Sequence, residues 1–334
     1  MVRSHKLKMA SRFIVNRFKK LHPFEIQANM LNECNLKCVY CNCPEVKMIQ
    51  MTTEQWKKII RDLRSLGNIR FKFQGGEPTL RRDFRELCEE AQQAGMITAM
   101  PSNGILLVAR PKLLDYLDEL IISLDSPNEE TNDLLRGKGA YEAAVRAIDI
   151  ALERGVRTFV NMVLTRENMN DLEEMLEFCE GRGIRLNAQP MMFERKYFDP
   201  RALALALPHA QMRSLNLRLA EWKKQGRGIL FSSQVYQKAS NWSDYNTLTT
   251  SSKENSSCIA GRFYFHIEPN GDVHPCGLHG ANFAPKNILK DGLIEALTHA
   301  KTHNCGDCLM PYMNERKALF GFKFAALREI VRRS

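Results

Sequence analysis

At 334 residues, 44% hydrophobic and 26% charged, the chain has enough apolar material for a barrel-sized core with a smaller unit beside it. Its ten cysteines are too dilute for a secreted disulfide scaffold, and no stretch approaches the roughly 20 apolar residues of a membrane-spanning helix. The formal charge of +10 sits at the ends: residues 1–24 hold seven Lys/Arg and no acid, residues 315–334 hold six Lys/Arg against two Glu, and residues 25–314 sum to −1, which speaks against a nucleic-acid-binding core.

The start is basic but lacks a continuous apolar run, so no signal peptide is expected. A reducing, cytoplasmic setting follows, with cysteines used for metal rather than disulfides. Phe13, Ile14, Phe18 and Leu21 can share a helical face against Arg12, Arg17, Lys19 and Lys20. Phe320, Phe324, Leu327 and Val331 do the same against Lys323, Arg328, Arg332 and Arg333. Segments 1–24 and 313–334 therefore read as basic amphipathic helices. Two readings stay open: packing against the body with a solvated basic edge, or peripheral contact with an anionic membrane at its inner face or with an acidic partner.

Between these ends, residues 25–195 alternate short apolar runs with helical patterns. Residues 26–31 read as a strand. Thr52 and Gln55 form a capping-box signature for a helix near 53–66 carrying Trp56, Ile59, Ile60 and Leu63. Strand 69–74, helix 84–94, strand 97–101, helix 111–118, strand 120–124, helix 141–154, strand 156–164, helix 171–182 and strand 184–189 follow. Six strand–helix units in a row predict parallel strands with right-handed crossovers. Residues 196–257 break the pattern, with a helix near 208–225 and then a Ser/Thr/Asn-rich stretch containing Trp242 and Tyr245, either a solvated linker or a loop over the substrate. Asn270-Gly271 reads as a hairpin turn between 264–267 and Val273.

Two cysteine sets carry the chemistry. Cys34, Cys38 and Cys41 lie in one short loop after the first strand. Three thiolates can hold three irons of a [4Fe–4S] cluster and leave the fourth open to a ligand; a zinc loop or buried thiols is the bland alternative. Cys258, Cys276, Cys305 and Cys308 could fully coordinate a zinc ion or a second [4Fe–4S] cluster. Cys88 and Cys179 fall on apolar helix positions, and Cys43 is out of register with its neighbours. Gly75, Gly76 and Glu77, followed by Pro78, end the second strand; paired glycines let a backbone approach a ligand, and Glu77 can accept from an amine. Ser102 and Asn103, Ser123 and Asp125, Arg136, Asn161 and Asn168 fall at or after carboxyl ends of strands, where barrel sites form.

Cys34-x3-Cys38-x2-Cys41 with Tyr40 before the last cysteine, Gly-Gly-Glu-Pro one strand later, Ser102-Asn103-Gly104, Ser123 with Asp125, and Arg136-Gly137 together resemble the radical S-adenosylmethionine (SAM) superfamily. Cys258-x12-Gly271-x4-Cys276 followed by Cys305-x2-Cys308 resembles its truncated SPASM, or twitch, domain. The resemblance implies a partial (β/α)6 barrel over 25–195, a linker over 196–257 and a small α+β auxiliary unit over 258–312. It implies SAM on the open iron of the first [4Fe–4S] cluster, an auxiliary [4Fe–4S] cluster on the second set, and an electron donor such as flavodoxin or ferredoxin. Tyr40, Gly75, Gly76, Glu77, Ser102, Asn103, Ser123, Asp125, Arg136 and Asn161 would surround SAM. No general base stands out; Glu194, Tyr197, Asp244 and His274 are candidates, and His274 and His279 flank Cys276. Because only 33 residues precede Cys34, oxidation of a small molecule or lipid-linked sugar is favoured slightly over peptide maturation. An iron–sulfur electron carrier or scaffold is the non-enzymatic alternative.

Overall fold

The computed structural model describes residues 21–193, 197–251, 258–278, 283–303 and 305–321. Six parallel strands open the fold: β1 (Glu25–Asn29), β2 (Arg70–Gln74), β3 (Ile97–Ser102), β4 (Glu119–Ser123), β5 (Arg157–Leu164) and β6 (Arg185–Pro190). They pair in sequence order, each with the next. The crossovers carry helices α1 (Thr53–Ser65), α2 (Phe84–Gln93), α3 (Ile105–Ala109), α4 (Glu129–Arg136), α5 (Ala140–Glu153) and α6 (Leu172–Gly181). This is the partial (β/α)6 barrel that the sequence implied.

The strands alternate with period 2, and the alternation says which face is the lumen. On β2, Phe71 and Phe73 are fully buried under the helices, while Arg70, Lys72 and Gln74 line the interior cavity. On β1, Ile26 and Ala28 lie in the same outer core, and Gln27 faces the cavity. The barrel thus keeps its main apolar core between sheet and helices and sets charged and amide side chains among apolar ones in the lumen. At the amino ends of the strands, Arg70 pairs with Glu25 and Glu119, and Glu119 also pairs with Arg157. Burial opposes ionisation of Glu119, but Arg70 and Arg157 hold its carboxyl down at about 2.

The capping box is present as read: Thr52 accepts from the Gln55 amide, and the Gln55 side chain accepts from the Thr52 amide. The helix expected at 111–118 is a 3-10 turn, Pro111–Tyr116, with α3 just before it. Pro111 forces Arg110 out of helical geometry, so one helix becomes two short pieces.

After the barrel come α7 (His209–Gln225) and α8 (Ser233–Ser240), which pack together. Up to residue 248 the Ser/Thr/Asn-rich stretch is neither solvated linker nor open loop; residues 252–257 lie outside the described residues. Trp242, Tyr245 and Leu248 lie in the main core; Trp242 Nε1 donates to Thr247 O and Tyr245 OH to Ala239 O, both at 2.7 Å. Its polar residues make the turns, with Asp244 accepting from the Asn246 amide.

Strand β7 (Thr249–Ser251) pairs with β11 (Cys305–Cys308), and β8 (Tyr264–Ile267) turns into β9 (Asp272–His274), which pairs with β10 (Lys286–Asn287). The hairpin turn uses Gly271 at φ +91°, as Asn-Gly predicted. β8 runs parallel to β1 on its free side, so the stretch expected as a separate auxiliary unit extends the barrel's own sheet. Short helices α9 (Ile288–Asp291) and α10 (Leu293–His299) follow, and α11 (Pro311–Phe320) closes the described chain. On α11, Phe320 stacks on Phe263 at 4.2 Å, and Arg316 lies 3.2 Å from Glu25. The described part of the C-terminal basic segment is therefore packed. Residues 1–20 and 322–334, on which the membrane reading falls, lie outside the described residues.

Candidate functional site

A cavity of about 660 Å³ occupies the barrel lumen and its carboxyl-end mouth. Cys34, Cys38 and Cys41 line it from the loop after β1. Burial raises Cys34 and lifts Cys38 to about 12, and charge on Cys41 pushes both further up. Thiols crowded this way become thiolates when a metal centre balances the charge. Cys88 and Cys179, by contrast, are fully buried in the main core, and Cys43 is buried with its thiol 3.7 Å from Asn32 Oδ1.

The Gly-Gly-Glu-Pro loop packs on the cysteine loop. A side chain at Gly75 would strike the Leu31 carbonyl at 2.3 Å, and one at Gly76 the Glu33 carbonyl at 2.1 Å. The amides of Gly76 and Glu77 donate to Leu31 and Glu33, each at 2.9 Å. The glycines thus clamp this loop against the cysteine loop, and Gly75, Gly76 and Glu77 also line the cavity. The Glu77 carboxylate is fully engaged inside the protein. It accepts from the Thr79 amide and hydroxyl, from Ser102 Oγ and from the Asn103 amide at 2.9 Å. Burial pushes its pKa up in spite of these bonds. Asn103 Nδ2 donates to Asn35 Oδ1 at 2.7 Å and lies 3.9 Å from Cys34 Sγ, so the third strand's loop also holds the cysteine loop.

On the other wall, Asp125 is a buried anchor. Its Oδ1 accepts from the Val163 amide, and its Oδ2 accepts from Arg136 at 2.8 Å and from the Tyr40 hydroxyl. Asn168 Nδ2 donates to the Asp125 carbonyl at 2.7 Å, which gives Asn168 a place behind the wall. Arg136 also bonds Tyr40 OH at 2.6 Å, and its buried Nε has no partner. Arg136 and Tyr40 both line the cavity, where the resemblance places the SAM carboxylate. Ser123 and Asn161 are register partners facing the same space, joined by Asn187, whose Nδ2 donates to Asn161 Oδ1 at 2.6 Å. Asn187 was missed in the sequence; its only signal is its even spacing with Arg185 and Gln189 on β6.

The second cysteine set is assembled. Cys305 and Cys258 share a hydrogen bond, which raises the Cys305 thiol and lowers Cys258 to about 7. The charges of Cys276 and Cys308 also act on Cys305. His303 accepts from the Cys305 amide and bonds the Ala260 carbonyl at 2.8 Å, which fixes this loop. Among the described residues no three such donors converge on one ion-sized point; a cubane instead holds each thiolate on a different iron. Of this set, Cys276 lines the central cavity, with Gly277 and Leu278 beside it.

Of the four candidates for a general base, the three among the described residues, Tyr197, Asp244 and His274, are not at the cavity wall. Glu194 and His279 lie outside the described residues. Asp244 is on the surface beside His209, and His274 is buried on β9. Tyr197 is buried behind the cysteine loop, where it donates to Glu268 Oε2 at 2.6 Å. Glu268, which no motif marked, also accepts from Asn29 at 2.9 Å and lies 3.4 Å from His266. Burial opposes its ionisation, but His266 and these bonds hold its carboxyl well below the usual carboxylate range. It ties the end of β8 to the start of the cysteine loop.

Residues 28–179 match the family described as the radical SAM superfamily. Fe-coproporphyrin III synthase of Methanosarcina barkeri is 36% identical over 164 residues, covering 47% of this chain and 41% of that protein. PqqA peptide cyclase of Rhizobium meliloti is 28% identical over 311 residues, covering 87% of this chain and 78% of that protein. Among solved structures, Streptococcus suis SuiB bound to precursor peptide SuiA shares the fold with a TM-score of 0.68 at 19% identity, over 93% of this chain and 76% of that chain. The chain thus spans less than half the length of the first of these relatives and about three quarters of the other two.

Proposed function

We propose, for a chain that belongs to the radical SAM superfamily, that it is an oxidative maturase of a peptide. The observation that carries this is the convergence of Cys34, Cys38, Cys41 and Cys276 on one cavity. A [4Fe–4S] cluster on the first three cysteines with SAM on its open iron supplies, when bound, a radical that takes a hydrogen atom from a substrate carbon. The residues present fit that pair: three cavity-lining cysteines, a cavity-lining Arg136 and a Tyr40 ring held beside it. Removing a second electron and a proton completes an oxidation, and Cys276 brings the auxiliary ligand set to the substrate's side.

Gln27, Gln74, Asn161, Asn187 and Gln189 line the lumen. Side-chain amides both donate and accept, as peptide groups do. The sequence had favoured a small molecule or lipid-linked sugar. The likeness that covers 87% of this chain is to a peptide cyclase, whereas that to the porphyrin enzyme covers 47% of it. These support the peptide reading over the earlier one.

The test is mass spectrometry of short peptides encoded beside the gene. Each is incubated anaerobically with iron-loaded protein, SAM and dithionite. One peptide should lose two hydrogens in step with 5′-deoxyadenosine release. If 5′-deoxyadenosine forms but every peptide stays unchanged while a cyclitol or lipid-linked sugar is oxidised, the peptide reading fails.

A further inference from the structure

An oxidation that removes a proton needs a base in reach of the substrate. Among the described residues three carboxylates line the cavity, Glu77, Glu119 and Glu315, and no histidine does. Glu77 has both oxygens bonded, to Thr79, to Ser102 and to the Asn103 amide. Glu119 is paired with Arg70 and Arg157; burial opposes its ionisation, but the two arginines hold its carboxyl down at about 2. So weak a base does not take up a proton near neutral pH.

Glu315, on α11, differs from both. It is only 9% exposed. Its Oε2 accepts from the Ser232 hydroxyl at 2.6 Å and from the Ser232 amide at 3.1 Å, at the start of α8. Its Oε1 accepts no hydrogen bond among the described residues, and it is not one of the fully enclosed atoms that lack a partner. One oxygen is thus held and the other is left open on the wall of the lumen. The titratable and charged groups around it are Lys223 on α7, whose Nζ donates to the Ile229 carbonyl at 2.7 Å, Tyr236 on α8, and Arg316 beside it. Burial pushes the Glu315 carboxyl above its ordinary value, although the Ser232 bonds, Arg316 and Lys223 draw it down. A raised carboxyl is a better proton acceptor than an ordinary one.

Its place in the fold fits the same step. β9 runs back antiparallel to β8, with His274 opposite His266, so Cys276 lies toward the amino ends of the barrel strands. α11 is at that end too: Tyr312 bonds Glu25, Arg316 lies 3.2 Å from Glu25, and the rings of Tyr312 and Tyr264 are 5.9 Å apart. We infer that Glu315 is the proton acceptor of the oxidation, taking through Oε1 the hydrogen on the atom next to the substrate radical. The inference rests on the oxidative reading of this site. Hydrogen-atom transfer leaves a carbon radical on the substrate. One electron then passes from the substrate to an oxidised iron–sulfur centre on the second cysteine set, which is reduced by one. The adjacent N–H, O–H or C–H bond breaks, and its electron pair stays on the substrate as the new double bond or cross-link forms. The proton goes to Glu315, and the substrate has lost two hydrogens.

The experiment uses iron-loaded protein and the peptide identified by its two-hydrogen loss, and measures the ratio of oxidised peptide to 5′-deoxyadenosine. Glu315→Gln keeps the side-chain length and an oxygen for Ser232 but cannot take the proton. The ratio should fall about hundredfold. A merely structural Glu315 would lower both products together; an unchanged ratio overturns the inference. In the unaltered protein the base is protonated as pH falls, so the ratio should fall with it. Difference infrared spectra of the unaltered protein against Glu315→Gln read the same carboxyl without turnover, and its midpoint should lie above the ordinary glutamate value of about 4.3. Ser232→Ala removes a bond to the charged form and should move the acid limb of the ratio upward, a comparison that stands even where Glu315→Gln does not fold. An infrared midpoint at or below that of a free glutamate, or an acid limb unmoved by Ser232→Ala, overturns the inference as well. Absence of coupled oxidation in the unaltered protein sinks the oxidative reading and this inference with it, whereas an unchanged ratio in Glu315→Gln sinks this inference alone.

Discussion

Glu77 and Asp125 are carboxylates at strand ends, where a barrel site would put ligand contacts, yet both are spent on the protein itself. Glu77 takes bonds from Thr79, Ser102 and Asn103, and Asp125 holds Arg136 and Tyr40. Among what these anchors position are Arg136 and Tyr40, which line the cavity. Motif spacing picked residues that the fold gathers around one cavity, but it could not say which of them line it and which hold those that do. Asn103 is the positioning residue with the most direct line to the metal, since its amide nitrogen lies 3.9 Å from Cys34 Sγ. A hydrogen bond to a cluster thiolate favours the more negative, reduced state. Asn103→Ala should therefore lower the reduction potential of the SAM-binding cluster. A bond worth about 1 kcal/mol corresponds to a shift on the order of 40 mV for one electron. A potentiometric titration followed by electron paramagnetic resonance measures it, and an unchanged or raised potential would show that the bond does not reach the cluster.

At the scale of elements, alternation was the legible signal. Arg70-Phe71-Lys72-Phe73-Gln74 states both its outer and its inner face in five residues, and the structure places them so. The capping box and the Asn270-Gly271 turn were legible because their chemistry is local. The split around Pro111 and the fold of residues 232–248 were not. Trp242 and Tyr245 are drawn into the core by packing against α7 and α8, which composition alone does not reveal. The clamp between two loops was also hidden, since it depends on backbones more than 40 residues apart in sequence meeting at Gly75 and Gly76. It makes a sharp expectation. A Cβ at Gly76 would lie 2.1 Å from the Glu33 carbonyl and 2.5 Å from that of Asn32, and backbone cannot yield as a side chain would. Gly76→Ala should push the cysteine loop out of place. Iron analysis should then find about four irons per chain in place of about eight, with circular dichroism unchanged. Full iron content would mean the loop closes without the clamp.

Across the whole molecule, the loops carrying Cys41 and Cys276 are more than 200 residues apart yet follow strands of one sheet, while Cys305 and Cys308 lie on β11, which pairs with β7 in a second sheet. β8 lies parallel to β1, its hairpin carries Cys276 to the cavity wall, and Glu268 at its end ties back to Asn29 and Tyr197 behind the other cysteine loop. The sequence announced two metal sites as two domains; the pairing of β8 with β1 is a long-range contact that no local pattern encodes. α11 completes the arrangement from the other end, with Arg316 against Glu25 at the foot of the barrel. The proposed function requires two distinct iron–sulfur centres, with the one on Cys34, Cys38 and Cys41 activating SAM. Replacing those three cysteines together by Ala, and then assaying iron and dithionite-driven 5′-deoxyadenosine, tests this. About four irons per chain should remain, held by Cys258, Cys276, Cys305 and Cys308, and no 5′-deoxyadenosine should form. A triple variant that still cleaves SAM, or that loses all its iron while remaining folded, would contradict it.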